Sequence, residues 1–194
     1  MLYESAIDRL KIVLIFNGTN ERIIKMKCLC FSDSHGTSYY INKALALHPD
    51  CEVVFFLGDG LADIERVAVQ HKNICFLPVR GNCDGTAEFL DTLVKKTETI
   101  TLEGYRIAYT HGDLYGAKYG MGGLLRLADE MQADLVLFGH THTATELYSE
   151  TEKGRGVYLF NPGSAGMGGF RGDASYGVIL LSPTGILLSH GTIR

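Results

Sequence analysis

A chain of 194 residues, 46% hydrophobic and 21% charged, is long enough to bury a core and has the composition of a folded globular protein, which excludes wholesale disorder. Its formal net charge of −4 excludes a global basic field for recruiting nucleic acid, but not a small phosphate-bearing substrate that answers to local charge. Five cysteines, an odd number with three in apolar runs, suit free thiols of a reducing compartment better than a disulfide framework.

The first 25 residues stand apart. Their apolar run, Leu10 to Phe16, is short, carries Lys11 and follows Glu4 and Asp8, so neither an export signal nor a membrane span is expected. The expected location is cytoplasmic. Residues 1–25 are read as an N-terminal extension and 26–194 as one domain.

The regular pattern begins near Lys27. Cys28 to Phe31 reads as a strand running into Ser32-Asp33-Ser34-His35-Gly36, with Cys28 and Cys30 on the same face. Thr37 or Ser38 can then cap a helix carrying Ile41, Ala44 and Leu45, closed by Pro49. Val53 to Leu57 is a second strand, ending in Gly58-Asp59-Gly60, and Leu61, Ile64, Val67 and Ala68 mark a second helix. Ile74 to Val79 is a third strand, ending in Arg80-Gly81-Asn82-Cys83-Asp84. The spacing of Phe89, Leu90, Leu93 and Val94 predicts a third helix.

Strand and helix thus alternate three times, as in a largely parallel sheet covered on both faces. Thr97 to Leu102 and Tyr105 to Thr110 then flank Glu103-Gly104 as a hairpin, followed by His111-Gly112-Asp113, a helix over about Leu124 to Met131, and a strand from Asp134 to Phe138 ending in Gly139-His140-Thr141-His142. The remainder is mostly β, through Val157 to Phe160 and Tyr176 to Leu181 to the turn at Pro183-Thr184-Gly185. The whole predicts a mixed sheet or a two-sheet α/β sandwich.

The chemistry lies in the strand endings. Ligands bind outside the carboxyl ends of strands in α/β sheets. Five endings here supply Asp33, His35, Asp59, Asn82, His111, His140 and His142. Each residue alone reads as a cap, a turn or a surface side chain, and His48, His71 and His190 are taken as structural. Together, imidazoles with carboxylate and amide oxygens suit divalent transition ions, and a carboxylate can bridge two of them. The pattern predicts two ions roughly 3.5–4 Å apart.

The ordered motifs DSH (33–35), GDG (58–60), GNCD (81–84), HGD (111–113), GHTH (139–142) and NPGS (161–164) span most of residues 27–190. The set resembles the calcineurin-like metallophosphoesterase superfamily, in particular its small bacterial and archaeal phosphodiesterases. That resemblance implies a four-layer α/β/β/α sandwich of two mixed β-sheets flanked by helices. It also implies a first ion on Asp33, His35 and His142, and a second on Asn82, His111 and His140. Asp59 would bridge them, with Asp59, Asn82 and His111 nearest the chemistry. Asp84 and Asp113 would orient neighbouring ligands, and Arg171 and Cys83 would face substrate. Cys83 stands where many relatives have a histidine that protonates the leaving group. The glycine-rich Ala165-Gly166-Met167-Gly168-Gly169 reads as a substrate loop or an exposed turn.

The implied function is hydrolysis of small phosphodiesters by in-line attack of an activated water, with manganese the expected ion and iron, zinc or nickel the alternatives. A phosphomonoesterase with the same centre, and a non-catalytic scaffold of the same fold, are the competing readings. A nuclease would need a basic groove, and Lys95-Lys96 is the densest basic pair. No membrane partner is expected, and the sequence leaves the oligomeric state open, homo-oligomers included.

Overall fold

The computed structural model describes residues 26–85, 88–166 and 172–194. The 1–25 extension, Arg171 and the 167–169 part of the glycine-rich stretch lie outside them.

The apolar runs are continuous because both faces of their strands are covered. In β1 (Met26–Phe31), Cys28 and Cys30 point to one core while Leu29 and Phe31 point to another. In β2 (Val53–Phe56), Val53 and Phe55 alternate in the same way with Val54 and Phe56. These strands run parallel to each other and to β3 (Cys75–Pro78). Two long C-terminal strands, β11 (Ala174–Ser182) and β12 (Gly185–Ile193), complete a five-stranded sheet in the order β12-β11-β1-β2-β3, β11 being antiparallel to β1.

A second five-stranded sheet has the order β6-β7-β8-β10-β9. It comprises β6 (Thr97–Leu102), β7 (Tyr105–Thr110), β8 (Leu135–Leu137), β9 (Thr145–Glu150) and β10 (Gly156–Asn161). Here β7, β8 and β10 are parallel, with antiparallel strands on both edges. The hairpin turn between β6 and β7 falls on Glu103 and Gly104, both at positive φ, as expected of a tight two-residue connection.

The two sheets face each other across one apolar layer, in which Phe55, Leu57, Tyr109, Leu137 and Phe160 are buried. Outside the first sheet lie α1 (Tyr39–Leu47) and α2 (Leu61–Gln70), buried through Ile41, Ala44 and Leu45 and through Leu61, Ile64 and Val67. Outside the second lies α3 (Gly122–Met131), buried through Leu124, Leu127 and Ala128. The layers are therefore α/β/β/α, as the resemblance implied. Among the described residues, no helix is long and apolar enough to cross a membrane.

One predicted element is wrong. Residues expected to form a third helix instead form a small hairpin of β4 (Glu88–Phe89) and β5 (Thr92–Leu93). Its tip, Leu90-Asp91, is left-handed at φ of 48° and 60°. Phe89 and Val94 reach the core beside α1 and α2, while Leu93 is 74% exposed, so the apolar spacing reflects two anchors and not a helical stripe. The five cysteines are all free, with Cys28, Cys30 and Cys51 buried and Cys83 exposed.

Phe55 packs edge-on against Tyr109 across the layer between the sheets. Phe55→Ala should lower the unfolding free energy by about 3–5 kcal/mol in urea titrations, and a loss under about 1 kcal/mol would show that this layer does not hold the sheets together.

Candidate metal centre

The site forms beyond the carboxyl ends of two sets of three parallel strands, β1, β2 and β3 in one sheet and β7, β8 and β10 in the other. The expected rim is thus shared between two sheets. Cross-sheet bonds fix it. His111, just beyond β7, lies with Nδ1 2.7 Å from the Leu57 carbonyl beyond β2. The His140 backbone N–H donates to Asp33 Oδ2 at 3.0 Å. Ser164, after β10, donates through Oγ to the Asp33 carbonyl at 2.9 Å.

Two loops interlock so tightly that they exclude side chains. A Cβ on Gly58 would lie 2.3 Å from the Gly81 nitrogen, and one on Gly81 would lie 2.0 Å from Asp59 Oδ1. Asp84 gathers the same loops. Its Oδ2 accepts from the backbone of Asp59 at 2.7 Å and Gly81 at 2.9 Å, and its Oδ1 from Gly60 at 2.8 Å and Leu61 at 3.0 Å. This ties the ends of β2 and β3 together and places a carboxylate at the N-terminus of α2.

All seven candidate ligands are brought to one place. On one side, Asp33 Oδ1 lies 3.1 Å from His142 Nε2 and 3.8 Å from His35 Nε2, and the two imidazole nitrogens are 3.3 Å apart. On the other, His111 Nε2 lies 3.1 Å from Asn82 Oδ1, 3.1 Å from His140 Nδ1 and 3.4 Å from Asp59 Oδ2. Asp59 belongs to both sides, since its carboxylate is within 4.8 Å of ligand atoms of His35 and of Asp33 and His111. Asp33 and His111 are fully buried, whereas the His35 and His142 side chains are 41% and 39% exposed, so the cluster has a closed floor and an open mouth.

The donor set fits a cation. A carbonyl only accepts, so His111 Nδ1 carries the proton shared with Leu57 and Nε2 of the neutral ring presents a lone pair. That lone pair faces oxygens of Asn82 and Asp59. Asp33 Oδ2 is satisfied by Ser32 Oγ at 2.6 Å and by His140, but its buried Oδ1 accepts no hydrogen bond among the described residues. A buried carboxylate oxygen without a donor, set beside two imidazole nitrogens, is the arrangement a divalent ion would complete.

The protonation preferences reflect the same crowding. Burial raises the Asp59 carboxyl, but the adjacent His111 ring in its protonated form and the N–H of Cys83 outweigh it and hold it well below the usual range. Burial lowers the His111 imidazole, but Asp59 and Asp33 outweigh it and the net shift is upward. Contact with Asp33 raises His142 against its burial. Burial, with the charges of His111 and Lys118, lowers His140. The Asp59 carboxylate beside Cys83 pushes that thiol up.

Asp113 forms an ion pair with Lys96 at 2.8 Å. Asp63, which carries no motif signature, is buried in the first turn of α2. Its Oδ2 accepts from Ser34 Oγ at 2.6 Å and from the Gly36 N–H at 2.8 Å, gripping both neighbours of His35, and Arg66 pairs with its other oxygen. A carboxylate on the apolar face of α2 was the sequence signal for it.

A model of the calcineurin-like phosphoesterase superfamily domain matches residues 26–183. The probable metallophosphoesterase YsnB of Bacillus subtilis is 30% identical over 157 residues, covering 80% of this chain and 85% of that protein. The phosphodiesterase YfcE of Escherichia coli is 28% identical over 175 residues, covering 79% of this chain and 87% of its own. The solved structure of Vacuolar Protein Sorting 29 from Cryptosporidium parvum, 15% identical, gives a TM-score of 0.66 over 87% of this chain and 98% of its own, a likeness of fold.

Two outcomes follow from the geometry. Asp84→Ala removes the acceptor of four backbone N–H groups and should lower stability by roughly 2–3 kcal/mol in denaturant titrations, whereas a loss within about 0.5 kcal/mol would show the loops hold without it. The neighbouring carboxylates shift the His111 and His142 imidazoles upward, so any proton these rings carry is held more tightly and must be displaced by an ion. Divalent-ion affinity should therefore rise with pH through the imidazole range and then level off, with protons released in calorimetry. Affinity independent of pH between about 6 and about 8 would contradict this.

Proposed function

Because the chain belongs to the calcineurin-like phosphoesterase superfamily, we propose that it is a metal-dependent phosphodiesterase acting on small phosphodiesters at a two-ion centre. Asp33, His35 and His142 would hold one ion, Asn82, His111 and His140 the other, and Asp59 both. Manganese is the expected ion, given oxygen and nitrogen donors in this mixture. The observation that carries the reading is the buried Asp33 Oδ1, which accepts no hydrogen bond among the described residues and lies against the His35 and His142 imidazoles. When bound, such ions lower the pKa of water, draw in phosphoryl oxygens and offset charge as it develops on them.

The chain's own residues do the positioning. Leu57 fixes which nitrogen of His111 is available, and the interlocked loops hold Asp59 and Asn82 against it. His35 and His142, half exposed, mark the side from which a phosphoryl group enters. Cys83 lies at that mouth, its N–H donating to Asp59 Oδ1 at 2.8 Å. With a thiol there in place of an imidazole, this chain supplies a poor acid for the departing alkoxide. The names of YsnB and YfcE support phosphoester substrates for a chain of this family.

The test is to strip the protein with a chelator, restore manganese, and measure hydrolysis of aryl and alkyl phosphodiesters and of monoesters. Activity should return with the ion, and Asp33→Ala should abolish it. Aryl diesters should be cleaved at least about 100-fold faster than alkyl diesters, since a good leaving group needs no proton. Equal rates on both would refute the weak-acid argument. No hydrolysis of any ester by metal-loaded protein would favour a scaffold of this fold.

A further inference from the structure

The motif reading gives Cys83 no part in holding metal, yet its sulfur lies among candidate ligand atoms. One ligand atom each from His35, Asp59 and Cys83 lie within 4.8 Å of one another. Cys83 is held in place by two contacts: its backbone N–H on Asp59 Oδ1 at 2.8 Å, and Asn82 Nδ2 on its sulfur at 3.2 Å. The nearby Asp33 Oδ1, buried and without a hydrogen bond, lies 3.8 Å from His35 Nε2. That oxygen independently points to a cation against the same imidazole.

We propose that Cys83 is a conditional ligand: with a thiophilic ion such as zinc or cobalt its sulfur joins His35 and Asp59 in the coordination sphere, whereas manganese leaves the thiol free. The inference rests on the reading that His35 and Asp59 hold metal. Thiolate, imidazole and carboxylate around one ion suit zinc and cobalt, and hard ions such as manganese take oxygen donors in preference to sulfur. When the metal–sulfur bond forms, the thiol proton passes to water and no oxidant or reductant takes part. The site thus has two ligand sets. In one the mouth keeps an uncommitted thiol beside the entering phosphoryl group. In the other the sulfur is drawn onto the ion and the mouth is narrowed. Ion identity then controls access as well as Lewis acidity.

The remaining cysteines do not confuse the assignment, because Cys28, Cys30 and Cys51 are buried in apolar cores and Cys75 packs at the edge of one. Cys83 is exposed, so its replacement leaves the core untouched.

The experiment is a cobalt titration of the chelator-stripped full chain, followed by absorption, for the unaltered protein, Cys83→Ser and Cys83→Ala. The unaltered protein should develop an intense near-ultraviolet sulfur-to-cobalt band together with weak visible bands from nitrogen and oxygen donors. Both variants should lose the first and keep the second. In competition titrations, zinc affinity should fall at least about tenfold in the variants while manganese affinity stays within about threefold. Visible bands without the ultraviolet band in the unaltered protein, or an ultraviolet band that survives both substitutions, would overturn Cys83 ligation and leave the metal centre standing. Absence of both bands from the unaltered protein would overturn the metal centre itself, and this inference with it.

Discussion

Beyond the strand ends of the two sheets, more lone pairs converge than there are protons to share. His111 commits its Nδ1 to the Leu57 carbonyl, and its Nε2 is then set about 3 Å from an amide oxygen and a second imidazole and slightly farther from a carboxylate. Asp33 is wholly buried with one oxygen satisfied and the other not. In a buried setting such lone pairs repel one another, and a buried carboxylate oxygen that accepts no hydrogen bond is costly. A cation reverses the sign of every one of those terms. The lone pairs that crowd each other become the bonds that hold it, and for this reason the metal reading follows from the packing and does not depend on motif alone.

Holding that arrangement takes backbone strain. Asp33, His35, Asp59, His140 and His142 all lie at positive φ, between 45° and 66°. Non-glycine residues in this region cost about 1–3 kcal/mol each and persist only where surrounding structure over-determines them, though Asp and His tolerate it better than most. The over-determination is visible. Asp33 and His35 donate their N–H groups to Gly58 and Asp59, Gly139 donates to His111, and Ala165 donates to Ser32. Asp84 and Asp63 then clamp the loops by accepting from Asp59, Gly81 and Ser34. Left-handed turns let short loops aim consecutive polar side chains at one point, which regular strand ends cannot do.

Much of this was legible in the sequence, and the gaps have physical causes. Strand endings rich in Asp, His, Asn and Gly marked the site because few apolar strands end that way for structural reasons. The helical stripes of α1, α2 and α3 were legible because their buried residues recur at helical spacing. The hairpin at 88–93 was not, since Phe89, Leu90, Leu93 and Val94 fall at helical spacing although only Phe89 and Val94 are buried. Nor was the division of the rim between two sheets: a strand buried on both faces reads alike whichever sheet it joins. Asp63 was hidden because its partners, Ser34 and Gly36, lie 29 and 27 residues away. Asp113 shows the converse, a residue within a motif whose partner, Lys96, lies just before β6.

The chain's charge of −4 and an anionic substrate are compatible because the negative groups at the site are turned inward. Asp33 and Asp59 are buried, Asp84 is occupied by backbone N–H groups, and Asp113 is paired with Lys96. The mouth instead presents His35, His142 and Cys83. Lys118 stands beside it on the segment anchored where Ala117 packs under Gly112, and its positive charge opposes protonation of both His140 and His142. Two divalent ions would bring about +4 against the two buried carboxylates. An approaching phosphoryl anion would then meet a local positive field at short range, where it counts, while the distant surface charges are screened beyond about 10 Å.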